Sequence, residues 1–169
     1  MKWLHWLISY VIMELEHYSH LAFFCGLCPD ELQILEPLFT RQSWVAGTSI
    51  FEQGDPASNL YLVVSGEVTI LFKPHDGPVM VVTHIPPGGI SGWSAVIGNP
   101  SYTSGARCKL DCEVLTIMGA DLRTLCEKQV SLGKLILERL SALIAERQRN
   151  QLVQVNSILN NGMRHHPEN

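Results

Sequence analysis

GTSIFEQGDPASNLYLVVSGEVTI, residues 47–70, sets the architecture of this chain. Val, Ile, Leu and aromatic residues crowd into short runs, and each run stops at a residue that suits a turn. Gly54-Asp55 stands where a tight turn needs positive φ. Ser65-Gly66 interrupts a long apolar run, so the chain can bend and continue on the next strand. Working outward, RQSWVAG on one side and PVMVVTHIPPGG, YTSGARC and CEVLTIMG on the other read as further short strands. Strands this short and closely spaced predict a mainly β protein, a jelly roll or barrel.

Helical period flanks the strands. Residues 14–38 read as helical pieces, ELEHYSHLAFF and then CPDELQILEPL, with a break at Gly26, Pro29 in the first turn, and Asp30 and Glu31 near the N-terminus. After Met118, GADLRTLCEKQ predicts a short helix and residues 131–159 a long one. Leu132, Leu135, Ile136, Leu140, Leu143 and Ile144 fall on one side of its first half, as a buried stripe. The second half, ERQRNQLVQVNSIL, is polar with a thin stripe at Leu152, Val155 and Leu159. A helix about 40 Å long outruns a domain this small. Its distal half is expected to pair with a second copy, in a parallel homodimer.

Length and charge narrow the class. With 169 residues there is one domain plus appended helices, and 46% apolar with 17% charged residues suits a folded chain. Sixteen acidic residues against 12 Lys plus Arg give a net charge of −4, without the basic footprint of a nucleic-acid binder. A small molecule or a protein is the expected partner. Five cysteines at irregular spacing, without a cleavable signal peptide, point to a reducing cytoplasm. The opening MKWLHWLISYVIM breaks at Lys2, His5 and Ser9 and stops at Glu14, short of the roughly 20 residues of a spanning helix. It reads as a helix packed on the domain or a partner. Interfacial membrane contact through Trp3 and Trp6, or a true start at Met13, are the alternatives. The expected divisions are a helical extension over 1–19, the β-roll over 20–128, the long helix over 129–160 and a disordered tail over 161–169.

The Gly-x-x-Ile-Phe-x-x-Gly-Asp and Tyr-Leu-x-x-Ser-Gly-x-Val signals within residues 47–70 resemble the cyclic-nucleotide-binding domain family, as seen in Crp/Fnr-type regulators. The resemblance runs through GGISGWSAVIGNPSYTSGARC, residues 88–108, and CEVLTIMGADLRTL, and covers roughly residues 20–150. It implies a double-stranded β-helix with N-terminal helices and a long C-terminal helix. Residues 88–108 occupy the family's phosphate-binding cassette, where nucleotide-binding members resemble Phe-Gly-Glu followed by Pro-Arg and a small residue. Here Trp93 stands at the glutamate position and Tyr102 at the arginine position, so both charged contacts are missing. Gly92, the turn Ser94 to Ile97 and the hydroxyl run Ser101 to Ser104 remain. Ligand identity therefore does not carry over, and neither cyclic AMP nor cyclic GMP is the expected ligand. Crp/Fnr-type regulators continue into a winged helix, whereas NNGMRHHPEN leaves no room for a helix-turn-helix, so direct DNA binding is not expected.

The candidate ligand site is Gly92, Trp93, Ser94, Ala95, Tyr102, Thr103 and Ser104 of the cassette with Arg147 and Gln151 of the long helix. By resemblance, Arg147 stands where the family has an arginine reaching towards the cassette, and Gln151 where a hydroxyl residue faces the base. Trp93 and Tyr102 have two readings. They form a ligand wall with stacking area and polar handles, or they fill the vacated pocket as closed core. Cys25-x-x-Cys28 invites an iron–sulfur or zinc reading, since some Fnr-type relatives bind a cluster with N-terminal cysteines, and Cys108 and Cys112 are candidates for the remaining ligands. The position aligned with the family's distal cluster ligand is Leu115, and no metal or cofactor is expected. His17 and His20, spaced i,i+3, read as solvated. With no catalytic motif in view, the expectation is a non-catalytic sensory module, against a ligand-free interaction module or a thiol redox sensor using Cys25 and Cys28.

Overall fold

The computed structural model describes residues 17–163, with the backbone alone for residues 150–163. The apolar N-terminal segment and the tail beyond Met163 lie outside the described residues. Eight strands follow a short helix α1 (Pro29–Leu35) and a 3-10 turn (Glu36–Leu38). They are β1 (Phe39–Trp44), β2 (Ser49–Phe51), β3 (Asn59–Ser65), β4 (Val68–Phe72), β5 (Met80–Ile85), β6 (Ile90–Ser91), β7 (Gly105–Cys108) and β8 (Cys112–Met118). Helices α2 (Gly119–Lys128) and α3 (Val130–Met163) complete the described residues.

The strands form two antiparallel four-stranded sheets, ordered β1-β8-β3-β6 and β2-β7-β4-β5. The bend expected at Ser65-Gly66 carries the chain from the first sheet into the second, with Gly66 at φ 83°. Gly54 likewise takes φ 92° at the expected turn. The apolar density of β3 has a direct cause, because both faces of its sheet are covered. Leu60 and Leu62 face the helices, while Tyr61 and Val63 alternate into the roll between the sheets.

Two cores result. The outer one packs Phe23, Phe24, Leu32 and Leu35, with Leu122, Leu132, Ile136 and Leu140 of α2 and α3, onto Leu60, Leu115 and Ile117. Each of these side chains contributes about 1.5–3 kcal/mol by leaving water. The inner core fills the roll with Phe51, Tyr61, Val68, Ile70, Tyr102 and Val114. Of the expected stripe on the long helix, Leu132, Ile136 and Leu140 are buried and Leu143 and Ile144 partly so. The helix ends at Met163, past the expected end at residue 159 or 160. Likewise the run CPDELQILEPL is not one helix, because Pro37 lacks the N–H that would continue α1 and the chain tightens into a 3-10 turn.

Candidate functional site

The site begins at Gly92, whose φ of 76° turns the chain from β6 into a 3-10 turn over Trp93–Ala95. A Cβ at Gly92 would lie 2.5 Å from the Asn59 carbonyl oxygen and 3.3 Å from Cε1 of Tyr102, so only glycine fits. The turn is one residue shorter than expected and starts earlier, at Trp93, and three residues carry little dipole with which to attract an anion. Arg123 of α2 donates to the Ala95 carbonyl, and Gly119, the first residue of α2, sits against the same backbone with no room for a side chain. Ser94 and Ala95 are thereby buried against α2.

Tyr102 decides what the interior of the cassette can hold. Its ring is 4% exposed and stacks on Phe51 with centroids 3.9 Å apart at 25°. Its hydroxyl donates to the Asn59 carbonyl at 2.8 Å and accepts from the Asn59 backbone N–H at 2.9 Å. Tyr61 lies against this pair, stacked 5.5 Å from Phe51, and its phenol is pushed up to about 12 by burial first and by Tyr102 second. Of the two readings of Tyr102, ligand wall or closed core, this geometry is that of the closed core. Its ring fills the roll behind the turn, and its hydroxyl is committed to the start of β3.

A cavity remains on the other side of Trp93. It measures ≈ 440 Å³ and lies between the second sheet, the cassette and α3. Ile70, Phe72, Val82 and Ile144 form its apolar wall. Trp93, Thr103, Ser104, Arg147 and Gln148 supply its polar groups. Four of the nine expected site residues thus line one space: Trp93, Thr103, Ser104 and Arg147. Gly92, Ser94, Ala95 and Tyr102 lie behind the lining. The side chain of Gln151 lies outside the described residues, and Gln148, which the sequence did not single out, takes the cavity-facing place. The apolar wall was missed as well, although the alternation Val68, Ile70, Phe72 in β4 carries the signal for one part of it.

Arg147 is the lone cation lining this cavity, and no acidic residue lines it. Burial pulls its guanidinium below its ordinary range, and no hydrogen bond or ion pair to it occurs among the described residues. It also lines a second, larger cavity of ≈ 750 Å³, bounded by His20, Leu21, Pro86, Pro87, Leu143 and Glu146 among others.

The cysteine and histidine candidates fall elsewhere. Cys25 and Cys28 are exposed, and Cys28 forms the N-cap of α1, its backbone N–H donating to Glu31 Oε2 at 2.8 Å. Cys108 and Cys112 are buried at the far end of the roll, and burial followed by the hydrogen bond with Cys112 pushes the Cys108 thiol up to about 12. His20 Nδ1 is 3.0 Å from the His17 carbonyl oxygen, which occupies one ring nitrogen. Among the described residues no three His, Cys, Asp or Glu side chains converge as a metal site requires.

Residues 41–129 match the family model of the cyclic nucleotide-binding domain. The Cyclic AMP receptor protein of Thermus thermophilus is 32% identical over 127 residues, 75% of this chain and 56% of that protein. A crystal structure of a cyclic nucleotide-binding protein from Geobacter metallireducens superposes with TM-score 0.69 at 30% identity, covering 79% of this chain and 96% of that one. A cyclic nucleotide-binding domain from Methylobacillus flagellatus superposes with TM-score 0.78 over 87% of this chain and 85% of its own, at 18% identity, a likeness of fold. The chain spans about half the length of the curated relatives it matches.

Proposed function

The chain belongs to the cyclic nucleotide-binding domain family, and from that membership we propose that it is a non-catalytic sensory module whose ligand is neither cyclic AMP nor cyclic GMP. The ligand sits in the ≈ 440 Å³ cavity between roll and long helix, and its presence alters how α3 packs, so that a partner or a second copy responds. Such a response needs different affinity for two arrangements of the helix. The observation that carries the reading is the pairing of an open cavity with a filled cassette. Arg147 and Trp93 line open space, whereas Tyr102 is closed into the core.

Electrostatics argue against the family's usual ligand. A buried phosphate needs a compensating charge or several aligned donors. Losing a charge-assisted pair in a desolvated site costs about 2–5 kcal/mol, roughly 30-fold to several thousand-fold in affinity. Titration calorimetry with cyclic AMP and cyclic GMP tests this directly, with Trp93→Phe to assign any fluorescence change. No saturable binding in the micromolar range is expected. Micromolar binding that depends on Trp93 would show that the cassette holds the phosphate without its arginine, and would sink the reading.

Dimerisation is proposed through α3. Val130 and Leu137 are 74% and 45% exposed on one side of the helix, seven residues apart and so on one face. No helix among the described residues is long and apolar enough to cross a membrane. The five cysteines are free, which supports a cytoplasmic setting as the proposed compartment.

A further inference from the structure

We propose that the cavity takes a monoanionic carboxylate carried on a flat apolar body, with the carboxylate held by Arg147 of the long helix and the body lying against Trp93. This rests on the pocket reading above and goes beyond it in naming the ligand's chemistry and its orientation. The charge would sit at the helix, on the opposite side of the cavity from the glycine turn.

Three observations converge. First, the lining holds one cation and no acid, and Arg147 meets no partner among the described residues. An unpaired guanidinium in a half-buried place is stabilised by whatever brings it a negative charge, and its planar fork matches a carboxylate through two parallel N–H donors. One guanidinium balances one charge, so a dianion would leave a charge uncompensated in a site walled by Ile70, Phe72, Val82 and Ile144.

Second, Tyr102, which stands where the family's arginine would, has no donor to spare. The Tyr102 hydroxyl both donates to and accepts from Asn59, and its ring leaves no space at Gly92. Third, the rest of the lining is mostly apolar and aromatic, Ile70, Phe72, Val82, Ile144 and Trp93, with the neutral groups of Thr103, Ser104 and Gln148 as its remaining polar side chains. A sugar with several hydroxyls would meet too few partners there, whereas a flat ring gains stacking area. At ≈ 440 Å³ the space lies at the lower end of small-molecule sites and suits a one- or two-ring compound.

The test uses the full chain and three probes of one shape: 1-naphthoate, 1-naphthyl phosphate and the neutral 1-naphthamide. Binding is read by calorimetry and by tryptophan fluorescence, with Trp93→Phe assigning the signal. The expected result is saturable binding of 1-naphthoate about tenfold or more tighter than of 1-naphthamide, with 1-naphthyl phosphate weaker than the carboxylate. Arg147→Gln is expected to bring naphthoate and naphthamide within about twofold, Arg147→Lys to fall between, and Gln148→Ala to keep the preference. Circular dichroism checks that each variant is folded, and should Arg147→Gln unfold, Arg147→Lys carries the comparison. Equal binding of the acid and the amide by the unaltered protein, with a signal lost in Trp93→Phe, overturns the carboxylate and leaves the pocket standing. A preference that survives in both Arg147 variants overturns the assignment to Arg147. Absence of saturable binding by all three probes overturns the pocket reading itself.

Discussion

Removing one oxygen atom, Tyr102→Phe, separates a tyrosine locked into the fold from one held ready for a ligand. The ring stays stacked on Phe51, so the packing loss is small. What is lost is the hydroxyl that satisfies both the N–H and the carbonyl of Asn59, at 2.9 and 2.8 Å. Leaving buried backbone groups unpaired costs about 1–3 kcal/mol. Asn59 is only half-buried, so water recovers part of this and a loss of about 1–2 kcal/mol is expected. At about 2–4 °C per kcal/mol for a chain of this size, the melting temperature falls by about 2–8 °C. Urea titration of both proteins gives the difference at unchanged m-value. Tyr102→Phe within about 0.5 kcal/mol of the parent, together with an altered affinity for any cavity ligand, would refute the reasoning. The hydroxyl would then be serving the ligand and not β3.

Gly92→Ala is expected to destabilise the roll by about 1–3 kcal/mol, because alanine meets both a φ of 76° and the Asn59 carbonyl, and urea titration measures it. Iodoacetamide at pH 8 should label Cys25 and Cys28 in the native protein and reach Cys108 and Cys112 only in denaturant, with peptide mass spectrometry locating the adducts. A Cys108 thiol raised to about 12 is protonated and unreactive well above that pH. Val130→Glu with Leu137→Glu should give a folded monomer by light scattering, and a double variant that stays dimeric moves the interface away from this face of α3.

Turn chemistry and strand alternation made the roll legible in the sequence. Gly54 and Gly66 mark positions where only positive φ closes the turn, and β3 alternates between two cores without a break. The long helix was legible from its stripe, but its extent was not, because Asn160, Asn161 and Gly162 are weak helix formers that read as a stop, whereas the helix runs on to Met163. The site was legible in composition and not in direction. Tyr102 lies in an irregular stretch ahead of β7, where no period says which way a side chain points. Its partner Asn59 is joined to it by backbone atoms, which leave no mark in the residue string. Gln148 was missed in favour of Gln151, three residues and nearly one turn further along the same face, because the helix was registered by resemblance. The apolar wall comes from β4, β5 and α3, brought together only by folding.

The seat of α3 on α2 has a mechanical consequence. Gly133 brings the two helices so close that a Cβ there would stand 2.5 Å from Cys126 Cα, and α2 is tied in turn to the cassette through Arg123 and Ala95. Such a joint is a fulcrum without slack, since neither side can settle further inward. The arm beyond it runs from Gly133 to Met163, roughly 45 Å at 1.5 Å per residue. A tilt of about 5° at the fulcrum sweeps the far end through about 4 Å, roughly three quarters of the pitch of one helical turn. The leverage of the molecule is therefore greatest where its own core ends, and a displacement too small to register beside Trp93 arrives there magnified.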